Sequence, residues 1–255
     1  MIGSSSAGGP LFSFSYESSD DYFSISFDDE VRALSSAVLG GGLGNIRSFV
    51  NMRVGENFLG GRSDFPPPAQ TLSDFADGLA LEPPTAAMMT AASMKSFCFS
   101  AVHYGSDEGC SPAGRNDEIS VYCLLSSGLS NALAAGDEGQ FLPGEFFRSA
   151  GTGRVGTINI VCGTNVPMTD AALFEASMIC TEAKTALLHS LGESSRLSGR
   201  PATGTGTDSL LVFCPPPGRD CAAENYCGKH TKLGELFGRA VTDALQPSLS
   251  LSSAV

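Results

Sequence analysis

A chain of 255 residues, 42% hydrophobic and only 16% charged, is long enough to bury a substantial core and too apolar for a disordered polymer. Its 15 Lys and Arg against 27 Asp and Glu leave a net charge of -12, which repels phosphate backbones and anionic lipid surfaces and argues against nucleic acid as a partner. No apolar run reaches the roughly 18 to 20 residues of a membrane-spanning helix, so no membrane insertion is expected.

The opening residues Met1-Ile2-Gly3-Ser4-Ser5-Ser6 lack the basic and apolar regions of a secretory signal, and no Arg or Lys precedes Arg32, so a cytoplasmic location is expected by default. Residues 1–21, rich in Ser and Gly, read as a flexible tail. The run from Asp28 meets Gly40-Gly41-Gly42, and Ile46 to Val54 then reads as a strand. That glycine turn could admit a ligand close to the backbone, although a plain turn is the simpler reading. Pro66-Pro67-Pro68 marks a loop, and Thr71 to Leu81 a short helix stopped before Pro83-Pro84. Two apolar, β-favouring runs, Phe97 to Tyr104 and Ile119 to Leu125, flank a loop containing Gly105, Gly109 and Gly114. Residues 138–153 form a further connection, and Val155 to Val161 another strand.

The clearest helix runs from Thr169 to Leu191. The Thr169 hydroxyl can cap its first turn, and Asp170 complements the helix dipole. Leu173, Ala176, Cys180, Ala183, Leu187 and Leu191 form one apolar stripe, and Gly192 supplies a stop. Ser209 to Phe213 reads as a strand, Thr231 to Leu245 as a final amphipathic helix, and residues 246–255 as a frayed tail. Strands and helices mix without a strict repeat. The reading is a single α/β domain over residues 22–245, with a mixed β-sheet covered by helices. Of the eight cysteines, Cys98, Cys123, Cys162, Cys180 and Cys214 sit in apolar stretches and read as reduced core residues.

Chemistry concentrates in a few segments. Ala202-Thr-Gly-Thr-Gly-Thr-Asp208 packs hydroxyls and a carboxylate between small residues just before a strand, a nest able to bind a carbonyl oxygen or a developing oxyanion. A structural turn capped by Asp208 is the bland alternative. It is no phosphate loop, because the Gly-x-x-x-x-Gly-Lys-Ser/Thr pattern is missing. His230, at the start of the last helix beside Lys229 and Lys232, is the histidine best placed for proton transfer; a packing or capping role is its alternative. Glu182 and Lys184, two apart on the long helix, point to different faces and read as solvated in isolation. Asn131 and Asp137 are open between a turn and a binding role. Cys214, Cys221, Cys227 and His230 could take zinc but lack paired Cys-x-x-Cys spacing, so no metal site is expected.

Together these segments are more specific than any alone. Gly156-Thr-Ile-Asn-Ile160, Thr181-Glu-Ala-Lys-Thr185, Ala202 to Asp208 and Gly228-Lys-His-Thr-Lys-Leu-Gly-Glu235 resemble, in that order, motifs of the adenosylcobinamide amidohydrolase family. Ser130-Asn-Ala132 with Gly136-Asp137 also resembles a motif of that family, and a fainter likeness extends through Met89-Thr-Ala-Ala92 to Leu34-Ser-Ser-Ala37. The resemblance implies hydrolysis of the amide between the corrin ring and the aminopropanol arm of adenosylcobinamide, giving adenosylcobyric acid for cobamide salvage. It implies a small-molecule corrinoid partner, cobalt arriving within the substrate, and no cofactor required besides. The catalytic candidates are His230, Asp208, Glu182 and Lys184, with Asn131, Asp137, Asn159, Thr205, Gly206, Thr207, Lys229 and Thr231 as substrate-binding candidates. Thr205 or Thr207 could alternatively form a covalent intermediate. Ser126-Ser127 depart from an expected Thr-Ala, which bears on substrate range. A corrinoid-binding or delivery module without hydrolysis is the alternative function, and oligomeric state is unknown.

Overall fold

The structure, a computed structural model, describes residues 3–9, 12–55, 66–105, 119–139, 156–218 and 222–252. Its organising element is a 14-residue strand, β3 (Tyr22–Ser35), preceded by β1 (Gly3–Gly9) and β2 (Phe12–Ser18). Along one edge β3 carries β4 (Gly42–Arg53), with the register broken between Ser26 and Val31. On its other edge the first half of β3 pairs with β2 and the second half with β11 (Ser209–Cys214). From β11 the sheet continues through β9 (Ile158–Thr164), β7 (Ile119–Ser127) and β6 (Cys98–Tyr104), while β5 (Thr85–Thr90) extends β4. Pairing is antiparallel except for β11 with β9 and β4 with β5. This is the expected α/β domain with a mixed sheet.

Strand alternation distributes the core between faces, because successive side chains point to opposite sides. Tyr122 and Leu124 of β7, Val161 of β9, and Leu211 and Phe213 of β11 point inward against Phe14, Ile25, Phe49 and Met88. The intervening Cys123, Leu125, Ile158, Ile160, Cys162, Val212 and Cys214 point outward, where α2 (Asp170–Ser190) and α3 (Lys232–Ser252) cover them. A smaller cluster joins Val50, Met52 and Ala87 to Leu72 and Ala76 of α1 (Pro68–Gly78). The sheet thus curls on itself around an aromatic interior and carries helices on both outer faces. Phe14 meets Tyr122 edge-on at 5.2 Å, and Phe27 meets Phe213 at 4.9 Å.

Helix α2 starts as expected, with Thr169 Oγ1 accepting from the Ala172 N–H. Its stripe is buried at Leu173, Ala176, Cys180 and Leu187, but Leu191 is exposed and Lys184 is buried instead. Cys123, Cys162, Cys180 and Cys214 are buried free thiols as expected, Cys98 is partly buried, and Cys227 joins the same core. The helix and strands foreseen at 71–81, 97–104, 119–125 and 209–213 are present with shifted ends. The strand expected from Val155 begins at Ile158. Gly109, Gly114 and most of 138–153 lie outside the described residues.

Two terminal expectations are corrected. Within 1–21, Gly3–Gly9 and Phe12–Ser18 form β1 and β2 rather than a tail, because Phe12 and Phe14 alternate with serines and seat their rings in the interior. The last helix does not end at Leu245 but runs to Ser252, with Ser248 and Leu249 buried. Ser248 Oγ donates to the Ser96 carbonyl at 2.5 Å and bonds Ser127 Oγ at 2.7 Å, which holds the final turn on β7.

Parallel pairing sets Gly163 beside Phe213, and a Cβ at Gly163 would lie 2.4 Å from the Phe213 ring. That ring is fully buried and has nowhere to move. Gly163→Ala is therefore expected to destabilise the fold by about 1 to 3 kcal/mol through overpacking, read as a lower urea midpoint at unchanged m-value.

Candidate active site

Four of the segments singled out in the sequence, around Asn131, Thr157, Lys184 and Asp208, meet at one end of the curled sheet. Two-residue strands, β8 (Ala132–Leu133) and β10 (Gly204–Thr205), pair there and align Asn131 to Ala135 with Ala202 to Asp208. Thr203 reinforces the alignment, with its N–H donating to Leu133 O at 2.9 Å and its Oγ1 accepting from the Ala135 N–H at 2.8 Å. Thr185 Oγ1 of α2 donates to Thr203 O at 3.2 Å. The Thr157 and Thr207 hydroxyls share a short hydrogen bond, tying the nest to the start of β9.

At the centre stands Asp208. Its Oδ1 accepts from the Ile158 N–H at 3.0 Å and from Thr205 Oγ1 at 2.5 Å; its Oδ2 accepts from the Thr205 N–H at 3.1 Å and from Lys184 Nζ at 2.5 Å. The Lys184 and Asp208 side chains are only 11% and 15% exposed. Lys184 is therefore a buried, paired cation, in contrast to the solvated reading, because Asp208 supplies the charge that lets it leave water. The pair requires Gly204, where a Cβ would lie 2.2 Å from Asp208 Oδ2 and 2.8 Å from Lys184 Nζ.

Lys184 and Asp208 line a cleft of about 370 Å³ between α2 and the strand ends, with Ser35, Ser36 and Thr181 on its walls and Ile158 on its floor. Lys184 has three ammonium protons and, among the described residues, Asp208 as its one hydrogen-bond acceptor, so two protons are open to a ligand oxygen. Beside Gly206, Asn131 Oδ1 is buried without a hydrogen-bond donor among the described residues. A side chain at Gly156 would run into that oxygen and into Gly128 O.

Asn159 is fully buried on β9. Its Nδ2 donates to Asn51 Oδ1 of β4 at 2.7 Å and to Met89 O of β5 at 2.8 Å, while Asn51 Nδ2 donates to Ser126 Oγ of β7 at 3.0 Å. Asn159 Oδ1 is left buried and, among the described residues, without a partner. Sequence reasoning missed Asn51 and Thr157. The available signal was one amide inside the apolar run Phe49-Val50-Asn51-Met52, where only an internal partner makes burial tolerable. Ser126 and Ser127, noted only as departures from a motif, bond Asn51 and Ser248.

The remaining candidates lie elsewhere. Glu182 pairs with Lys229 between α2 and the segment before α3. Thr231 caps α3, its Oγ1 accepting from the Gly234 N–H at 2.9 Å and donating to Gly228 O at 2.8 Å. His230 is exposed between them, and no hydrogen bond or ion pair among the described residues joins it to Glu182 or Asp208. Gly206 sits at the tip of the nest beside Leu133 and Asn131. Cys214 and Cys227 are core thiols whose pKa values burial raises to about 11 and about 12, and Cys221 lies outside the described residues. No group of three or more His, Cys, Asp or Glu side chains among the described residues gathers as a metal site.

Asp137 is a clasp. It accepts from Ser195 Oγ at 2.5 Å, Ser198 Oγ at 2.5 Å and the Ala134 N–H at 2.8 Å, locking the turn after β8 to the loop after α2. The Ser195 hydroxyl foremost, then Ser198 and Ala134, hold its carboxyl below its ordinary range, with a smaller pull from Arg200. A depressed carboxylate contributes stability that is fully present above its unfolded pKa and lost as pH falls through its folded one. Asp137→Ala is therefore expected to be less stable than wild type at pH 7, with the gap closing below about pH 4 in paired urea titrations.

Comparison with known proteins agrees with the motif pattern. A profile of the adenosylcobinamide amidohydrolase (CbiZ) family matches residues 12–255. The chain is 32% identical over 131 residues to the adenosylcobinamide amidohydrolase of Halobacterium salinarum, covering 51% of this chain and 50% of that protein. It is 33% identical over 143 residues to the uncharacterized protein MJ1613 of Methanocaldococcus jannaschii, covering 49% and 51%. The chain thus spans about half the length of these curated relatives. Among solved structures, the PH0078 protein from Pyrococcus horikoshii OT3 has a TM-score of 0.46 at 12% identity, covering 89% of this chain and 76% of its own. An L-aminopeptidase D-Ala-esterase/amidase from Ochrobactrum anthropi has a TM-score of 0.43 at 10% identity, covering 99% and 83%. With the profile matched across nearly its whole length, the chain belongs to the adenosylcobinamide amidohydrolase family.

Proposed function

We propose that this protein hydrolyses the amide joining the corrin ring of adenosylcobinamide to its aminopropanol arm, releasing adenosylcobyric acid for cobamide salvage. The observation that carries this reading is the buried Lys184–Asp208 pair, held by the Thr205 nest and opening on a cleft. A cleft of about 370 Å³ suits the arm and its amide rather than a corrin macrocycle, so the ring lies at the mouth. Cobalt enters as part of the substrate, and the residues proposed here need no further cofactor.

In this mechanism the two uncommitted protons of Lys184 bind the amide carbonyl and stabilise the oxyanion that forms on attack. Asp208, occupied by four donors, serves to fix Lys184 and Thr205. Water forms the new C–O bond, its proton passes to His230, and the C–N bond breaks as that proton reaches the departing amine. Lys229, tied to Glu182, holds the segment carrying His230 against α2. A corrinoid-binding module without hydrolysis is the second reading, favoured by the absence of any bond from His230 to Glu182 or Asp208 among the described residues.

Purified protein incubated with adenosylcobinamide is expected to yield adenosylcobyric acid and free aminopropanol; tight binding without either product would establish the second reading. Lys184→Ala is expected to lower kcat about 100-fold or more. His230→Ala with near-normal turnover would remove His230 from proton transfer, and an acyl-enzyme on Thr205 or Thr207, visible by mass spectrometry, would replace direct water attack.

A further inference from the structure

We propose that Thr181 selects the leaving group: its Oγ1 accepts a hydrogen bond from the hydroxyl of the aminopropanol arm. The proposal rests on the amidohydrolase reading and names the group that the α2 wall of the Lys184–Asp208 cleft takes.

Thr181 and Ser177 line that cleft from α2. Each hydroxyl spends its one proton on its own helix, Thr181 on the Ser177 carbonyl at 3.0 Å and Ser177 on the Phe174 carbonyl at 2.7 Å. Among the described residues neither oxygen accepts a hydrogen bond, so this wall offers acceptors to whatever enters the cleft. The opposite wall differs. Ser35 Oγ already accepts from the Ala37 N–H at 2.9 Å, and Ser36 Oγ from the Leu210 N–H at 3.0 Å. A donor carried by a ligand is therefore met on the α2 side.

Which donor it is follows from helix spacing. Thr181 precedes Lys184 by three residues, which puts the two side chains on one face with Cβ atoms about 5 to 6 Å apart. A trans secondary amide carries its C=O and N–H on opposite edges, so a wall that holds the carbonyl through Lys184 does not also take the N–H. The nitrogen substituent, by contrast, lies on the carbonyl edge. The arm hydroxyl, on the second carbon beyond that nitrogen, thus comes back to the same wall, next to Lys184. Ser177 stands seven residues from Lys184, about 10 Å along the axis, beyond the reach of so short an arm.

Adenosylcobinamide and its deoxy analogue, in which an aminopropane arm replaces aminopropanol, separate this contact from the rest of the site. Wild-type protein is expected to favour the hydroxylated substrate in kcat/KM by about fivefold to tenfold, the measure of one neutral hydrogen bond. Thr181→Val, near-isosteric and at an exposed position, is expected to erase that preference by losing activity on adenosylcobinamide alone, with kcat/KM for the analogue within about twofold of wild type. Thr181→Ser, which keeps the acceptor, is expected to keep the preference. A wild type without the preference, a preference that survives in Thr181→Val, or equal losses on both substrates would overturn the proposal. A wild type that releases no amine from either substrate overturns the amidohydrolase reading instead. Thr181 is then tested by comparing the dissociation constants of the same two corrinoids in equilibrium dialysis: a preference lost in Thr181→Val supports its role, and an unchanged one overturns it.

Discussion

Everything at the candidate site depends on one ion pair. Two opposite charges withdrawn from water cost more than their attraction returns unless the remaining polar valences are met. The Lys184–Asp208 pair meets them with three further donors to the carboxylate, all from the Thr205 nest and the start of β9. This explains why the nest is rich in glycine and threonine. Gly204 leaves room for the two charged groups to touch, and the Thr205 hydroxyl and N–H complete the shell. The pair also joins elements that the chain separates, α2 on one side and the approach to β11 on the other.

Around that pair the protein changes its rule of packing. The interior of the curled sheet is built from aromatic and aliphatic side chains, yet at the end nearest the motifs the inward positions become Asn51, Ser126 and Asn159. The polar row continues strand alternation, in register with Leu124 on β7 and Val161 on β9. Each amide in the row is bonded to the next, so the apolar interior and the polar end share one scaffold.

Much of this was legible in the sequence, and the failures have physical causes. Thr169 announced a helix because capping is local chemistry, and the cysteines announced burial because their neighbours are apolar. The first strands were misread because serine and glycine suggest disorder when counted; the informative pattern, Phe12 and Phe14 flanking Ser13, is an alternation that needs a partner face to become visible. Lys184 was read as solvated because its partner lies 24 positions away, outside any helical spacing rule. Asp137 and Thr231 were singled out as candidate ligand contacts, and their side chains clasp a turn and cap a helix. His230 was chosen for its chemistry, which sequence does reveal; its connection to the ion pair is a matter of three-dimensional placement, which sequence does not.

The position of β11 bears on how the protein is made. This strand, residues 209–214, fills the slot between β3 and β9. A ribosome emits β3 and β9 long before it, so the nascent chain carries two unpaired sheet edges while it waits for a centre. Unpaired edges are templates for joining other chains. The central strand arriving late also makes the decisive contacts long-range, which slows folding and prolongs that exposure. Biosynthesis of this domain thus passes through a stage in which two halves of a sheet are present and the strand that unites them is not.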